Sequence, residues 1–289
     1  MKINLYYPPY PAQIFKGSKD PVNPVRPFNP KSALPTLASG IRYFSRTMKF
    51  NCDIEIIDLQ VGGKLTYYKS IPYGLQTLDC YRLGRPYDEI KNKVIEGDIH
   101  GITANYTNSA QLVADLAKFI KKINPKTLLV IGGTDATARP YYYLKNGADI
   151  VIKGEGEYVF SCIVDAWDKG KDFRTIPNIC TQEDPGGLDI DLSYLLDLDE
   201  IEPMSLDLIE DISIYTDTAE GPSPVGVKPN FICFETSRGC AWGCSFCTAP
   251  MRGKYRTMSP KAVKRHFEFF KDYKIKTIVW QEDNPLLAI

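Results

Sequence analysis

The chain has 289 residues, 44% of them hydrophobic and 24% charged, the balance of a globular protein with room for one large domain or two modest ones. Lys plus Arg and Asp plus Glu both number 35, so the formal net charge is zero, which argues against the basic excess of a nucleic-acid binder. No apolar run approaches the roughly 20 residues of a membrane helix, the aromatic start Met1–Pro9 does not read as a signal peptide, and eight cysteines suit a reducing cytoplasm.

In chain order, strand-like runs rich in Ile, Val and Leu fall at Lys2–Tyr7, 53–59, 98–103, 127–131 and 149–152. Helical patterns lie between them at 32–49, 86–96, 109–123, 140–146 and 155–169. The clearest helix carries Leu112, Val113, Leu116, Phe119 and Ile120 on one face. Strands alternating with helices predict a parallel sheet covered on both faces, with ligands bound beyond the carboxyl ends of the strands. Glycines mark those ends at Ile131-Gly132-Gly133-Thr134 and Lys153-Gly154-Glu155-Gly156-Glu157. Tight turns with nothing bound explain one such pair as well as a ligand does; two are harder to dismiss. Neither is a G-x-G-x-x-G fingerprint, and no phosphate-binding G-x-x-x-x-G-K-[ST] loop is present.

Between Glu183 and Glu220 stand thirteen Asp or Glu and no Lys or Arg, so residues 183–229 are expected to form an acidic linker, solvated for most of its length. A second unit then begins: a strand at 231–236, a cysteine loop, Ser259-Pro260 as N-cap and first helical residue of a helix to about 273, and a strand at Thr277–Trp280 leading into Gln281-Glu282-Asp283.

The loop Thr236-Ser237-Arg238-Gly239-Cys240-Ala241-Trp242-Gly243-Cys244-Ser245-Phe246-Cys247 has C-x3-C-x2-C spacing. Three thiolates on one short loop can hold three irons of a 4Fe–4S cluster and leave the fourth open to a ligand. A disulfide framework lacks a matching partner run. A zinc knuckle lacks a nearby fourth ligand, since Cys233 sits on an apolar strand and His266 within a helix.

This spelling resembles the radical S-adenosylmethionine (radical SAM) superfamily, whose signature is C-x3-C-x-aromatic-C, with Phe246 as the aromatic. The resemblance implies that Cys240, Cys244 and Cys247 ligate the cluster and that SAM chelates the open iron. Reductive cleavage of SAM then gives a 5′-deoxyadenosyl radical. Glu282 and Asp283, at the end of the second strand, become candidates to hold the SAM amine. Arg252, Lys254 and Arg256 could meet the SAM carboxylate or a cofactor, with solvated loop charges as the simpler reading.

Ser237-Arg238-Gly239 is typical of members with an N-terminal cobalamin domain, and the first 180 residues or so are similar to that domain. Tyr7-Pro8-Pro9, Asp58, Gly101-Ile102-Thr103, the Gly132-Gly133-Thr134-Asp135-Ala136-Thr137 turn and Ala148–Glu157 carry the likeness. The family resembled is thus the cobalamin-dependent radical SAM enzymes. The implied fold is α/β: a Rossmann-like, flavodoxin-like parallel sheet over residues 1–182, the linker, and from 230 to 289 a truncated, partial (β/α) radical SAM barrel. Thr103, Gly132, Gly133, Thr134, Gly154 and Glu155 are the residues expected to face the corrin. Asp135 stands where many members have His, and the D-x-H-x-x-G cobalt-ligating motif is absent. His100 and His266 both read as structural, so the corrin is expected base-off, without a protein imidazole below cobalt.

The implied activity is methyl transfer from SAM through cobalamin to a small-molecule or natural-product substrate, with an electron donor such as flavodoxin or ferredoxin. Cyclisation and rearrangement are also implied possibilities. Competing readings are a methylthiotransferase, with a second cluster drawn from Cys52, Cys80, Cys162 and Cys180, and a non-catalytic cobalamin-binding module or inactive remnant. A full barrel of about six strand–helix units takes about 180 residues. Only about 60 follow Asn230, so a fragment of a longer protein is expected.

Overall fold

A computed structural model of the chain describes residues 1–18, 32–185, 189–216, 230–242, 244–247 and 253–283. The first unit runs β1 (Lys2–Tyr7), β2 (Tyr10–Phe15), α1 (Ala33–Met48), β3 (Asp53–Asp58), β4 (Lys64–Tyr73) and β5 (Gln76–Gly84). It continues α2 (Lys91–Glu96), β6 (Ile99–Thr103), α3 (Ala110–Ile123), β7 (Leu128–Gly132) and α4 (Thr134–Ala138). It ends α5 (Pro140–Lys145), β8 (Ile150–Ile152), α6 (Glu157–Asp168) and β9 (Ile179–Thr181).

Among the described residues the main sheet has the order β3-β1-β6-β7-β8-β9, parallel from β3 to β8 with β9 antiparallel at its edge. This is the flavodoxin-like order, and its switch point lies between β1 and β6. Successive strand residues point to opposite faces, so Ile3 and Leu5 pack under α1 and α6 with Ile41, Phe160 and Ile163. Tyr6, Ile102 and Ile131 pack on the other face against α3 and α5, with Leu116 and Tyr143. A strand buried on both sides can be apolar at every position, which is why the runs read as continuous rather than alternating.

A second, antiparallel sheet of order β2-β5-β4 lies beside the main one and was not expected from the sequence. Its hairpin turns at Gly74-Leu75, where Gly74 has φ 59°. Pro72 argues against a strand, yet it is tolerated because β4 is an edge strand.

The acidic segment is exposed over part of its length, but the recurring Leu and Ile that argue against a wholly solvated linker do pack. Leu198, Ile201, Met204 and Leu206 enter a separate core with Ile232, Phe234 and Phe270. Its acids reach back to the first unit, Asp207 to Arg42 at 2.8 Å and Glu202 to Arg46 at 2.9 Å. After the short α7 (Ile212–Thr216), the second unit runs β10 (Phe231–Phe234), β11 (Ser237–Arg238), β12 (Arg256–Thr257), α8 (Pro260–Asp272) and β13 (Thr277–Trp280). β10 and β13 pair in parallel and α8 crosses between them, one strand–helix–strand unit. The Ser259 Oγ accepts from the Ala262 N–H at 3.3 Å, capping α8 where Ser-Pro predicted it.

Candidate functional site

The carboxyl edge of the main sheet is built by short polar hydrogen bonds between neighbouring strand ends. Gly133, just after β7, has φ 117°, and a Cβ there would lie 2.5 Å from Asn105 Oδ1 and 2.7 Å from the Ala104 carbonyl oxygen. Only glycine fits. Asn105 Oδ1 accepts from the Thr134 N–H at 3.2 Å, and its amide donates to Thr103 Oγ1 at 3.2 Å. The Thr137 hydroxyl donates to the Gly133 carbonyl at 2.9 Å and accepts from the Gly154 N–H at 3.0 Å, tying the two glycine turns together. Gly132 is different: a Cβ there would meet only Ile152 Cβ at 3.7 Å, ordinary contact. Packing within the chain therefore does not require glycine at 132.

Asp135 is buried at the same edge, held by Arg139 at 2.6 Å, by the Tyr143 hydroxyl and by the Thr107 hydroxyl. Burial pushes its pKa up, but the hydrogen bonds from Arg139, Thr107 and Tyr143 outweigh it and hold the carboxyl below its usual value. Its place in the family pattern is thus occupied by a satisfied carboxylate, locked into the fold.

β10 leads into the cysteine loop. Cys240 is half-buried, Cys244 and Cys247 are exposed, and none of the three is in a disulfide. The Cys247 N–H donates to the Cys244 carbonyl at 3.1 Å across a turn that leaves Phe246 90% exposed. Among the described residues no three metal-ligating side chains converge on one point. Three thiols at this spacing on one loop suit a cubane that takes one thiolate per iron. Cys233 is buried, and burial pushes its thiol up to about 12, as expected of a structural cysteine.

Glu282 and Asp283, both expected at the SAM amine, hold the start of the loop. Glu282 accepts from the Thr236 N–H at 2.8 Å, the Ser237 hydroxyl at 2.9 Å and the Thr236 hydroxyl. Asp283 accepts from the Gly239 N–H at 3.0 Å.

Residues missed by sequence reasoning join the two units. Arg238 donates to Glu157 at 2.7 Å and to Glu235 at 2.6 Å, and lies 3.3 Å from Glu155. Burial works against its charge, and the attraction of Glu157, Glu235 and Glu155 overcomes that, raising its pKa. Arg256, read from the sequence as a solvated loop charge, is only 19% exposed, pairs with Glu155 and donates to the Leu196 carbonyl at 2.6 Å. Lys254 is exposed as expected, and Arg252 lies outside the described residues. The available signal was charge pattern: Gly-Glu-Gly-Glu in one unit and Ser-Arg-Gly in the other.

A cavity of about 780 Å³ lies between these parts. Thr103, Gly132, Gly133, Thr134, Gly154 and Glu155 line one side, and Phe234, Glu235, Arg238, His266 and Asp283 line another. Glu282, Phe246 and the three cysteines are not among its lining residues. His100 lies toward the amino end of β6, with Nδ1 3.0 Å from the Tyr6 hydroxyl; His266 stands in the cavity wall with Nε2 3.1 Å from the Ile201 carbonyl. A glycine-edged space at the carboxyl ends of a parallel sheet fits a large planar cofactor.

The B12 binding domain matches residues 36–164, and the radical SAM superfamily domain matches residues 234–289. An uncharacterised methyltransferase of Pyrococcus horikoshii is 32% identical over 251 residues, covering 84% of this chain and 48% of that protein. The hopanoid C-3 methylase of Methylococcus capsulatus is 26% identical, over 76% of this chain and 37% of its own length. The chain spans about half the length, or less, of these relatives. The radical SAM methyltransferase TsrM of Kitasatospora setae, solved with tryptophan and a SAM analogue, superposes on all of this chain and 48% of its own, with TM-score 0.62 at 18% identity, a likeness of fold. Among the described residues no helix is long and apolar enough to cross a membrane.

Proposed function

The chain belongs to the cobalamin-dependent radical SAM family, and from that premise we propose that the whole protein is a methyltransferase using cobalamin, a 4Fe–4S cluster and SAM on a small-molecule substrate. The observation that carries this reading is the cavity of about 780 Å³ bounded by the glycine edge of the sheet and by the strand that leads into the cysteine loop. In that arrangement a corrin held at the glycine edge would lie next to the root of the cysteine loop.

In this reading Gly132, Gly133 and Gly154 let a corrin lie against the backbone, while Thr103, Thr134 and Glu155 border it. Cys240, Cys244 and Cys247 hold the cluster, and Phe246 packs beside it. Asp283, at the cavity wall, takes the SAM amine together with its loop contact, and Glu282 fixes the strand end. When bound, the cluster with SAM supplies a radical initiator and the corrin a methyl carrier. The chain's own contribution is to orient these groups and to keep water from the space between them. A flavodoxin or ferredoxin would supply electrons, and a reducing cytoplasm suits the free thiols.

The methylthiotransferase reading needs a second cluster. Cys80, Cys162 and Cys180 lie on β5, α6 and β9 and Cys52 between α1 and β3, and burial is the largest cause raising each of these thiols above its usual pKa. That favours structural roles for all four. Anaerobic reconstitution with iron, sulfide and hydroxocobalamin tests the proposal: about four irons per chain with bound corrin support it, and about eight irons without corrin point to the methylthiotransferase.

A further inference from the structure

The neck of the cysteine loop holds two like charges face to face. β11 and β12 pair antiparallel, with Arg238 directly opposite Arg256. Like charges at opposed positions destabilise such a ladder. The neck is also tight: Gly239 has φ 78°, and a Cβ there would lie 2.6 Å from the carbonyl oxygens of both Gly253 and Lys254.

One carboxylate serves both arginines. Glu155 pairs with Arg256 through Oε1, and its Oε2 lies 3.3 Å from Arg238 Nη1. Its side chain is 9% exposed, so these pairs act with little screening by water. Glu155 does not belong to the loop or to its unit. It sits between Gly154 and Gly156 in the turn after β8, at the edge of the cavity. Arg238 has Glu157 and Glu235 as further ion pairs, so its charge is not the one most exposed by losing Glu155.

We propose that Glu155 is the clasp of the cysteine loop, neutralising the opposed arginines at its neck and coupling ligand occupancy at the glycine edge to retention of a metal cluster on the loop. The clasp itself rests on the ion pairs; the coupling rests on the family reading above. Because both sites bias the same contact, the effect is reciprocal: a corrin that fixes the 154–156 turn also holds the neck closed.

The test has two arms, both on the full chain. In the first, hydrogen exchange is followed without any cofactor. E155Q keeps size while removing charge, and amides in 237–242 and 253–257 are expected to exchange at least about tenfold faster than in the parent, with β6 and β7 unchanged. E155D, which keeps the charge, is expected to lie nearer the parent. E155Q/R256Q removes both the clasp and the repulsion, so it is expected to fold and to regain most of the protection even if E155Q alone does not fold. Parent-like exchange in E155Q, or no recovery in the double variant, overturns the clasp.

In the second arm the chain is reconstituted with iron and sulfide, and iron loss to a chelator is timed with and without hydroxocobalamin. Corrin is expected to slow the loss at least about threefold in the parent and not in E155Q. Equal protection in E155Q overturns the coupling. A parent chain that takes up neither iron nor corrin overturns the family reading, while the exchange arm still decides the clasp.

Discussion

Arg238, two residues ahead of Cys240, donates to Glu157 at 2.7 Å although 80 residues of chain separate them, and both side chains are at least nine-tenths buried. The first residue of α6 is thereby bonded to the flank of the cysteine loop. The two units are thus joined by buried charge at one corner of the cavity between them.

Removing that corner should be costly. Arg238→Met leaves Glu155 and Glu157 buried without their shared cation, and is expected to cost about 3–5 kcal/mol. Urea unfolding followed by far-ultraviolet circular dichroism checks this; a loss below about 1 kcal/mol would show the pairs to be weak.

The two adjacent glycines should respond in opposite ways. Gly133→Ala forces a Cβ into Asn105 and Ala104 at φ 117°, so it should destabilise the fold by about 1–3 kcal/mol. Gly132→Leu meets no such clash at its Cβ and should unfold near the parent midpoint, yet weaken hydroxocobalamin binding by at least about tenfold by filling the cavity edge. Paired thermal melts and corrin titrations separate the two effects.

Both histidines are buried, and burial lowers each pKa from 6.5 to about 4. A depressed folded pKa means that the unfolded chain takes up protons first as pH falls. The stability is therefore full above pH 6.5 and lost progressively down to about pH 4. Lowering the pH from 7.5 to 5 should cost on the order of 2 kcal/mol per histidine. His100→Gln should lower stability at neutral pH and flatten that slope, as read from urea midpoints across the range.

The cysteines should divide cleanly. Serine at Cys240, Cys244 or Cys247 is expected to remove most of the about four irons bound after reconstitution, while Cys233→Ser leaves the iron count unchanged and lowers stability. Iron analysis and thermal melts together check the assignment.

Much of this was legible in the residues. The β-strands of the parallel sheet announce themselves because burial on both faces makes them apolar runs, and Ser259-Pro260 marks a helix start by its own chemistry. The β2-β5-β4 sheet was not legible, since β4 is mostly exposed and contains Pro72, and β2 and β5 lack the continuous apolar run of a strand buried on both faces. The cysteine spacing named its chemistry, but the partners of Glu155, Glu282 and Arg256 could not be read from spacing. Those contacts join residues 45 to 101 positions apart, and only the fold brings them together.

The cavity is expected to take a corrin with no imidazole below cobalt. His100 is bonded to Tyr6 and is not among the residues lining the cavity, whereas His266 stands in the cavity wall with Nε2 held by the Ile201 carbonyl and its buried Nδ1 without a hydrogen-bond partner, so His266 is the imidazole the measurement tests. The direct measurement is electron paramagnetic resonance of the chain with hydroxocobalamin reduced to Co(II). The account predicts a protein-bound, base-off signal without nitrogen superhyperfine splitting. A spectrum showing that splitting, whether from unbound base-on corrin or from a histidine on cobalt, would contradict it.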